Sequence, residues 1–244
     1  MHQRIHTEHF SLATYYQGDR TAQKIAIVLP GRLDTKDYPH MQSLVDFLAI
    51  QGYFALSFDP PGTWESPGSI DLYTTTNYLK AINEIIVHFG NRPTLLLGHS
   101  RGGTLAMLAS SNAAVRGIVA IMASYGAPSP PRPEEIKIGF QRTSRDVPGT
   151  SNAIQEKKFL LPLNYFTDGK KYDPIAVLRR CVKPKLLIYG VRDEFTNPER
   201  IKEIYATIPP PKMIHELDSD HDYRWHPKII KEVNTVIGKF LTTI

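Results

Sequence analysis

The sequence predicts an α/β protein: a mostly parallel sheet flanked by helices, with a small insertion past the middle of the chain. Three observations carry that expectation. Short apolar runs of strand length alternate with longer segments whose apolar residues recur at helical spacing, the pattern of parallel strands joined by crossover helices. The helical segments stop at glycine, as at Gly52 and Gly90, or open on proline, as at Pro198 and Pro227. Gly98-His99-Ser100-Arg101-Gly102-Gly103 lies between the apolar run Thr94–Leu97 and the helix-like Thr104–Ser110, so a serine stands at the apex of a strand, a sharp turn and a helix.

The elements follow in order. Ile5–Phe10 and Ser11–Tyr16 read as one or two edge strands, and Gly18-Asp19 turns the chain into a strand at Lys24. His40–Ile50 is a helix closed by Gln51-Gly52. Thr74–Phe89 is another, with Tyr78, Ile82, Ile85, Ile86 and Phe89 on one face. Val115–Met122 is a strand. The segment 123–173 then breaks the rhythm with Pro128, Pro130, Pro131, Pro133, Pro148 and Pro162. A connection this long within one domain is expected to be a lid or binding element, and Phe159, Leu160, Leu161, Leu163, Tyr165 and Phe166 would seat it over an acyl pocket. Regular alternation resumes with the strand Lys185–Gly190, the helix Pro198–Ile208, the strand Met213–Leu217 and the helix Pro227–Leu241.

The chemistry gathers around Ser100. A serine hydroxyl is a poor nucleophile unless a base takes its proton and a helix start lies behind it, and a G-x-S-x-G turn provides that exposure. Gly98 and Gly102 leave room for the tight backbone such a turn needs. Asp193 and His221 each lie just past the end of a strand, at the sheet edge where open α/β sheets place ligands and catalytic groups. The order is Ser, Asp, His. In these residues the chain resembles the α/β-hydrolase superfamily, whose acid and histidine follow the nucleophile in that order, and the resemblance extends from about Lys24 to the C-terminus.

Other segments fit that family residue by residue. Ile25–Arg32 is similar to its third strand and oxyanion loop, where Pro30 replaces the histidine that usually precedes glycine. Asp59-Pro60-Pro61-Gly62-Thr63-Trp64-Glu65-Ser66 is similar to its D-x-x-G-x-x-x-S turn, a structural signal rather than chemistry. Lys171-Tyr172-Asp173-Pro174 with Leu178, Pro184 and Gly190–Asp193 looks like bacterial esterase and serine-aminopeptidase relatives. The resemblance implies one α/β-hydrolase domain over residues 1–244, with a small cap at 123–173.

It also implies an acyl-enzyme mechanism. His221 is the base, Asp193 orients it, and the amides of Arg101 and of Arg32 or Leu33 hold the oxyanion. A small carboxylic ester is the expected substrate. Peptidase, thioesterase and carbon–carbon hydrolase activity fit the same triad, and a non-catalytic ligand-binding protein on a hydrolase scaffold is the reading from another class. The triad needs no metal or organic cofactor. Glu194, beside Asp193, is expected to project elsewhere, and Asp218, Asp220 and Asp222 to form turns. His99, His215 and His226 read as structural.

Four arginines, Arg32, Arg101, Arg192 and Arg224, occupy loops at the same sheet edge. Either they converge as an anion-binding rim, with Arg192 and Arg224 touching substrate, or they pair with Asp34, Glu65, Glu194 and Asp222. Composition bounds the rest. The 41% hydrophobic and 22% charged residues are ordinary globular usage. The net charge of +5 does not point to nucleic acid, because basic residues are spread through the chain, in doublets such as Lys157-Lys158 and Arg179-Arg180. Met1–Phe10 lacks the apolar centre of a signal peptide and no run is long enough to span a membrane, so a cytoplasmic location is the expectation. The lone Cys181 can form no internal disulfide.

Overall fold

The structure, a computed structural model, describes residues 1–149 and 155–243. Part of the expected cap, residues 150–154, lies outside the described residues. The chain opens with two edge strands, β1 (His2–His6) and β2 (Ser11–Gln17), followed by β3 (Ile25–Leu29), α1 (Pro39–Ile50), β4 (Phe54–Phe58) and α2 (Thr75–His88). The nucleophile region is β5 (Thr94–His99) and α3 (Arg101–Leu108), and β6 (Val115–Ile121) follows. Next come α4 (Pro133–Ile138), β7 (Phe140–Asp146), β8 (Glu156–Pro162), α5 (Leu163–Gly169) and α6 (Pro174–Leu178). The chain closes with β9 (Lys185–Gly190), α7 (Pro198–Thr207), β10 (Lys212–Leu217) and α8 (Pro227–Leu241).

Eight strands form one sheet in the order β1-β2-β4-β3-β5-β6-β9-β10. Within this sheet the β1–β2 and β2–β4 pairs are antiparallel and the other described pairs are parallel. Residues of β3, β4, β5 and β9 are buried at every position, as strands covered on both faces must be. One apolar cluster packs α2 and α3 on one face, and a second packs α1 and α8 on the other. The first strand is offset from the sequence expectation: Thr7 and Phe10 close a tight turn, with the Thr7 amide donating to the Phe10 carbonyl at 2.9 Å, which ends β1 at His6.

Local chemistry sets the ends of the helices. The Thr74 hydroxyl accepts from the Asn77 amide to cap α2, and Asn197 does the same for α7 through the Glu199 amide. The helix behind the serine begins at Arg101, earlier than the periodicity from Thr104 suggests, because it winds directly out of the turn. That turn depends on missing side chains. A Cβ on Gly98 would lie 2.2 Å from the Gly102 carbonyl carbon, and one on Gly102 would lie 1.9 Å from the Leu29 oxygen. The start of α3 is therefore pressed against the end of β3 and the loop that follows it.

A buried ion pair holds that loop from the other side. Lys36 Nζ lies 3.3 Å from Asp59, 2.7 Å from Asp37 and 2.6 Å from Glu65. Asp59 also accepts from the Thr35 hydroxyl and from the Lys36 and Glu65 amides. The D-x-x-G-x-x-x-S turn thus clamps the chain beyond β3 onto the end of β4. Within 123–173, where the sequence offered little periodicity, the described residues form an antiparallel hairpin of β7 and β8 with α4 before it and α5 after it. The hairpin is legible only in part because β7, Phe-Gln-Arg-Thr-Ser-Arg-Asp, has no apolar alternation. Phe159, Leu161, Tyr165 and Phe166 join the main core, whereas Leu160 is exposed. No helix among the described residues is long and apolar enough to cross a membrane.

Candidate active site

Ser100 has φ 51° and ψ −120°, a left-handed conformation unusual for a residue with a Cβ, and its amide donates to the Ile121 carbonyl at 2.8 Å. Its Oγ lies 2.9 Å from His221 Nε2. His221 Nδ1 lies 3.0 Å from each Asp193 carboxylate oxygen. An ionised carboxylate only accepts, so Nδ1 carries the proton and Nε2 is left to accept from the serine hydroxyl. Sequence reasoning named these residues, and the structure brings all three together.

Asp193 is itself held in place. Its carboxylate accepts from the Phe195 amide at 2.8 Å, the Thr196 amide at 3.2 Å and the Thr196 hydroxyl at 2.6 Å. Burial opposes its ionisation, but the bonds from His221 and Thr196 prevail and hold the carboxyl below its ordinary value. The Glu194 carboxylate accepts instead from the His221 amide, at 3.4 Å. Behind His221, the His99 ring meets the His221 carbonyl at 2.9 Å, and because a carbonyl can only accept, His99 Nε2 is the donor. His99 is buried, and burial pushes its imidazole below the ordinary value.

The loop after β3 is pinned on several sides. Pro30 oxygen accepts from the Tyr78 hydroxyl at 3.2 Å, Arg32 oxygen from Arg145 at 2.7 and 3.0 Å, and Leu33 oxygen from Trp64 Nε1 at 2.8 Å. The Leu33 amide donates to the Tyr73 hydroxyl at 2.9 Å. These contacts fix the loop in which Pro30 stands in place of histidine. Leu33 is thereby committed elsewhere, while the Arg32 and Arg101 amides make no hydrogen bond to another described residue.

A cavity of about 390 Å³ opens over Ser100 and His221, lined among others by Arg32, Arg101, Arg145, Gln141, Tyr165 and Phe166. The four-arginine rim is only half present. Arg192 and Arg224 do not line the cavity. Arg192 turns out to the Asp218 carboxylate and carbonyl at the surface. Arg224 is buried behind the site, 2.8 Å from Asp146 and 3.5 Å from Asp222, with its guanidinium 4.1 Å from the Tyr38 ring centre. Each found an acid, and for Arg224 the closest is 78 residues away in sequence. Arg145 and Gln141 were missed because β7 reaches them to Arg32 across more than a hundred residues, and no local pattern signals that contact.

Among the described residues, Asp34, His40 and His99 form a buried cluster whose ligand-type atoms lie within 4.8 Å of one another. Asp34 already faces cations there, with Arg145 at 3.3 Å and Arg224 at 3.9 Å. His215 pairs with Glu232, His226 with Asp220, and Cys181 is a buried free thiol after α6.

The comparisons with known proteins bear on this geometry. The family model for the α/β hydrolase fold matches residues 26–159. No curated protein matches the chain in sequence. Among solved structures, Est1E from Butyrivibrio proteoclasticus with ferulic acid bound aligns with a TM-score of 0.77 at 18% identity, covering 99% of this chain and 98% of that one. Mouse α/beta hydrolase domain-containing protein 10 aligns at 0.75 and 17% identity over 100% and 99% of the two chains. The Pyrococcus furiosus esterase Pf2001 aligns at 0.70 and 19% over 100% and 91%. Likeness at these identities speaks to the fold. The family match spans more than half of the sequence, over the strands and turns that build the serine elbow, and the chain belongs to the α/β hydrolase fold family.

Proposed function

We propose that the protein is a serine hydrolase that cleaves a small carboxylic ester through an acyl-enzyme on Ser100. The observation that carries this reading is the 2.9 Å contact between His221 Nε2 and Ser100 Oγ, with Asp193 on the opposite ring nitrogen. His221 takes the serine proton as Oγ attacks the ester carbonyl, then gives it to the departing alkoxide. Water repeats the sequence on the acyl-enzyme, with His221 again the base, and releases the acid. Asp193 fixes the imidazole tautomer and stabilises the imidazolium formed in each half-reaction.

The Arg101 amide, at the start of α3, and the Arg32 amide are the donors for the developing oxyanion. Two features support them: neither is committed to a described acceptor, and the close packing of Gly102 on Leu29 brings the two backbones together. We read the chain as one hydrolase domain in which 123–173 forms a small cap over the ester. The test is turnover of 4-nitrophenyl acetate, a short-chain acyl thioester and an aminoacyl anilide by the wild type and by Ser100→Ala. The ester is expected to be the best of the three, and all turnover is expected to vanish in a folded Ser100→Ala. Unchanged turnover in that variant would overturn the triad, and a dominant anilide or thioester activity would replace the ester with that bond.

A further inference from the structure

Two guanidinium groups in the cavity that holds Ser100 have no acid among the described residues to neutralise them. Arg32 and Arg101 make their polar side-chain contacts with neutral partners, Arg32 Nη2 with Gln141 Oε1 and Arg101 Nη2 with Thr75 Oγ1 at 2.9 Å. Among the described residues neither forms an ion pair, and residues 150–154, Thr-Ser-Asn-Ala-Ile, contain no acid. The Nε donor of each is buried and meets no acceptor among the described residues. Arg101 as a whole is only 7% exposed. Buried donors without acceptors are costly, and a cation kept from water without a counter-charge is costlier still.

The rest of the cavity shows that this surplus is local. Arg145 is balanced by Asp34, and the two acids of the lining are engaged on the His221 side: Glu194 with the His221 amide, Asp222 with Arg224. Arg32 and Arg101 share an aromatic floor instead. Their Cζ atoms lie 5.5 and 4.4 Å from the centre of the Tyr165 ring, which stacks on Tyr73 at 5.5 Å and 14°. A cation–π contact of this kind draws a guanidinium to the ring without neutralising it and leaves its outer donors for a planar anion.

We propose that Arg32 and Arg101 bind a carboxylate on the acyl part of the substrate, so that the preferred ester is a monoester of a short dicarboxylic acid. The proposal rests on the Ser100 hydrolase reading for its chemistry. The leaving group departs on the His221 side, where Glu194 and Asp222 repel an anion. The acyl chain runs away from it toward the two arginines, whose own amides flank the scissile carbonyl, so the carboxylate sits a few bonds beyond that carbonyl.

Mono-4-nitrophenyl glutarate and 4-nitrophenyl pentanoate share leaving group and chain length and differ in a terminal carboxylate against a methyl. The wild type is expected to favour the glutarate ester in kcat/KM by about tenfold or more, with the preference shrinking as salt rises. In Arg32→Gln and Arg101→Gln that ratio is expected to fall to about one, a readout that cancels any general loss of activity, with thermal melting to confirm folding. Arg101→Lys, which keeps charge but not the planar fork, gives an intermediate ratio and serves if the glutamine variant fails to fold. A wild-type ratio of one or less, or a ratio unchanged in the variants, overturns the proposal while leaving the hydrolase reading intact if both esters turn over. If neither does, the ester reading falls, and calorimetric titration of monomethyl glutarate into Ser100→Ala judges the anion site alone: binding that is lost on adding Arg101→Gln supports it, and no binding overturns it.

Discussion

The Tyr73 hydroxyl accepts the Leu33 amide at 2.9 Å and so decides which amide of the loop after β3 remains free. Burial pushes the Tyr73 phenol upward, which keeps it a neutral hydroxyl across the working range of pH. Tyr73→Phe leaves the Leu33 amide without its partner and releases the loop. We expect kcat on a small ester to fall by about tenfold, short of the 10²–10³ for deleting an oxyanion donor outright, with little change in KM. Denaturant unfolding should show a loss of about 1–3 kcal/mol. Steady-state kinetics with wild-type kcat would remove the loop from the mechanism.

Asp193 and Glu194 are neighbours in sequence with different predicted weights. Asp193→Asn removes the carboxylate that sets the His221 tautomer and should lower kcat by about 10⁴, against about 10⁶ for Ser100→Ala. Glu194→Gln touches only the His221 amide and should cost less than tenfold. Initial rates of the three purified variants on one activated ester decide the order, and a damaging Glu194→Gln beside a neutral Asp193→Asn would reassign the acid.

Arg145 reaches from β7 to the Arg32 carbonyl at 2.7 and 3.0 Å, so the hairpin holds the loop of the proposed oxyanion donor as well as lining the cavity. Arg145→Ala should therefore lower kcat for acetyl and longer esters alike, by about tenfold, since the donor is misplaced for every substrate. A change confined to long-chain esters would show the hairpin acting only as a cover.

Asp34 is fully buried, and although burial opposes its ionisation, the Arg145 guanidinium 3.3 Å away holds its carboxyl well below the usual carboxylate range. A depressed folded value means its stabilisation is full above the unfolded carboxylate value of about 3.9 and is lost as pH falls below it toward the folded value. Asp34→Asn should cost about 3–5 kcal/mol at pH 7, because Arg145 loses its counter-charge and Arg224 the most distant of its three acids. The gap between wild type and variant should narrow in unfolding measurements below about pH 4. An equal gap at neutral and acid pH would contradict this balance of charges.

The sheet and the Ser100, Asp193 and His221 positions were legible because each rests on a local signal: an apolar run, a glycine elbow, or an acid or histidine just past a strand. Strand β9 and helix α8 fall at the residues the sequence indicated. Side-chain direction was not legible. Arg192 and Arg224 stand on loops at the same sheet edge as Arg32 and Arg101, yet their aim is set by acids the fold brings up, Asp218 from the next strand end and Asp146 from the hairpin. The hairpin was hidden for a related reason: β7 makes its contacts through Gln141, Arg145 and Asp146 rather than through an apolar face. Asp59 read as a turn former, and its pairing with buried Lys36 emerges only when β3 and β4 lie side by side.

The central claim is that Ser100 is an activated nucleophile, and covalent labelling by a fluorophosphonate reads it without knowledge of the natural substrate. Intact-protein mass spectrometry should show a single adduct, and peptide mapping should place it on Ser100. Labelling should be absent in Ser100→Ala and slowed by at least about a hundredfold in His221→Ala, since the base that draws the proton from Oγ is gone. An unlabelled wild type, or an adduct that persists in a folded Ser100→Ala, would contradict the account.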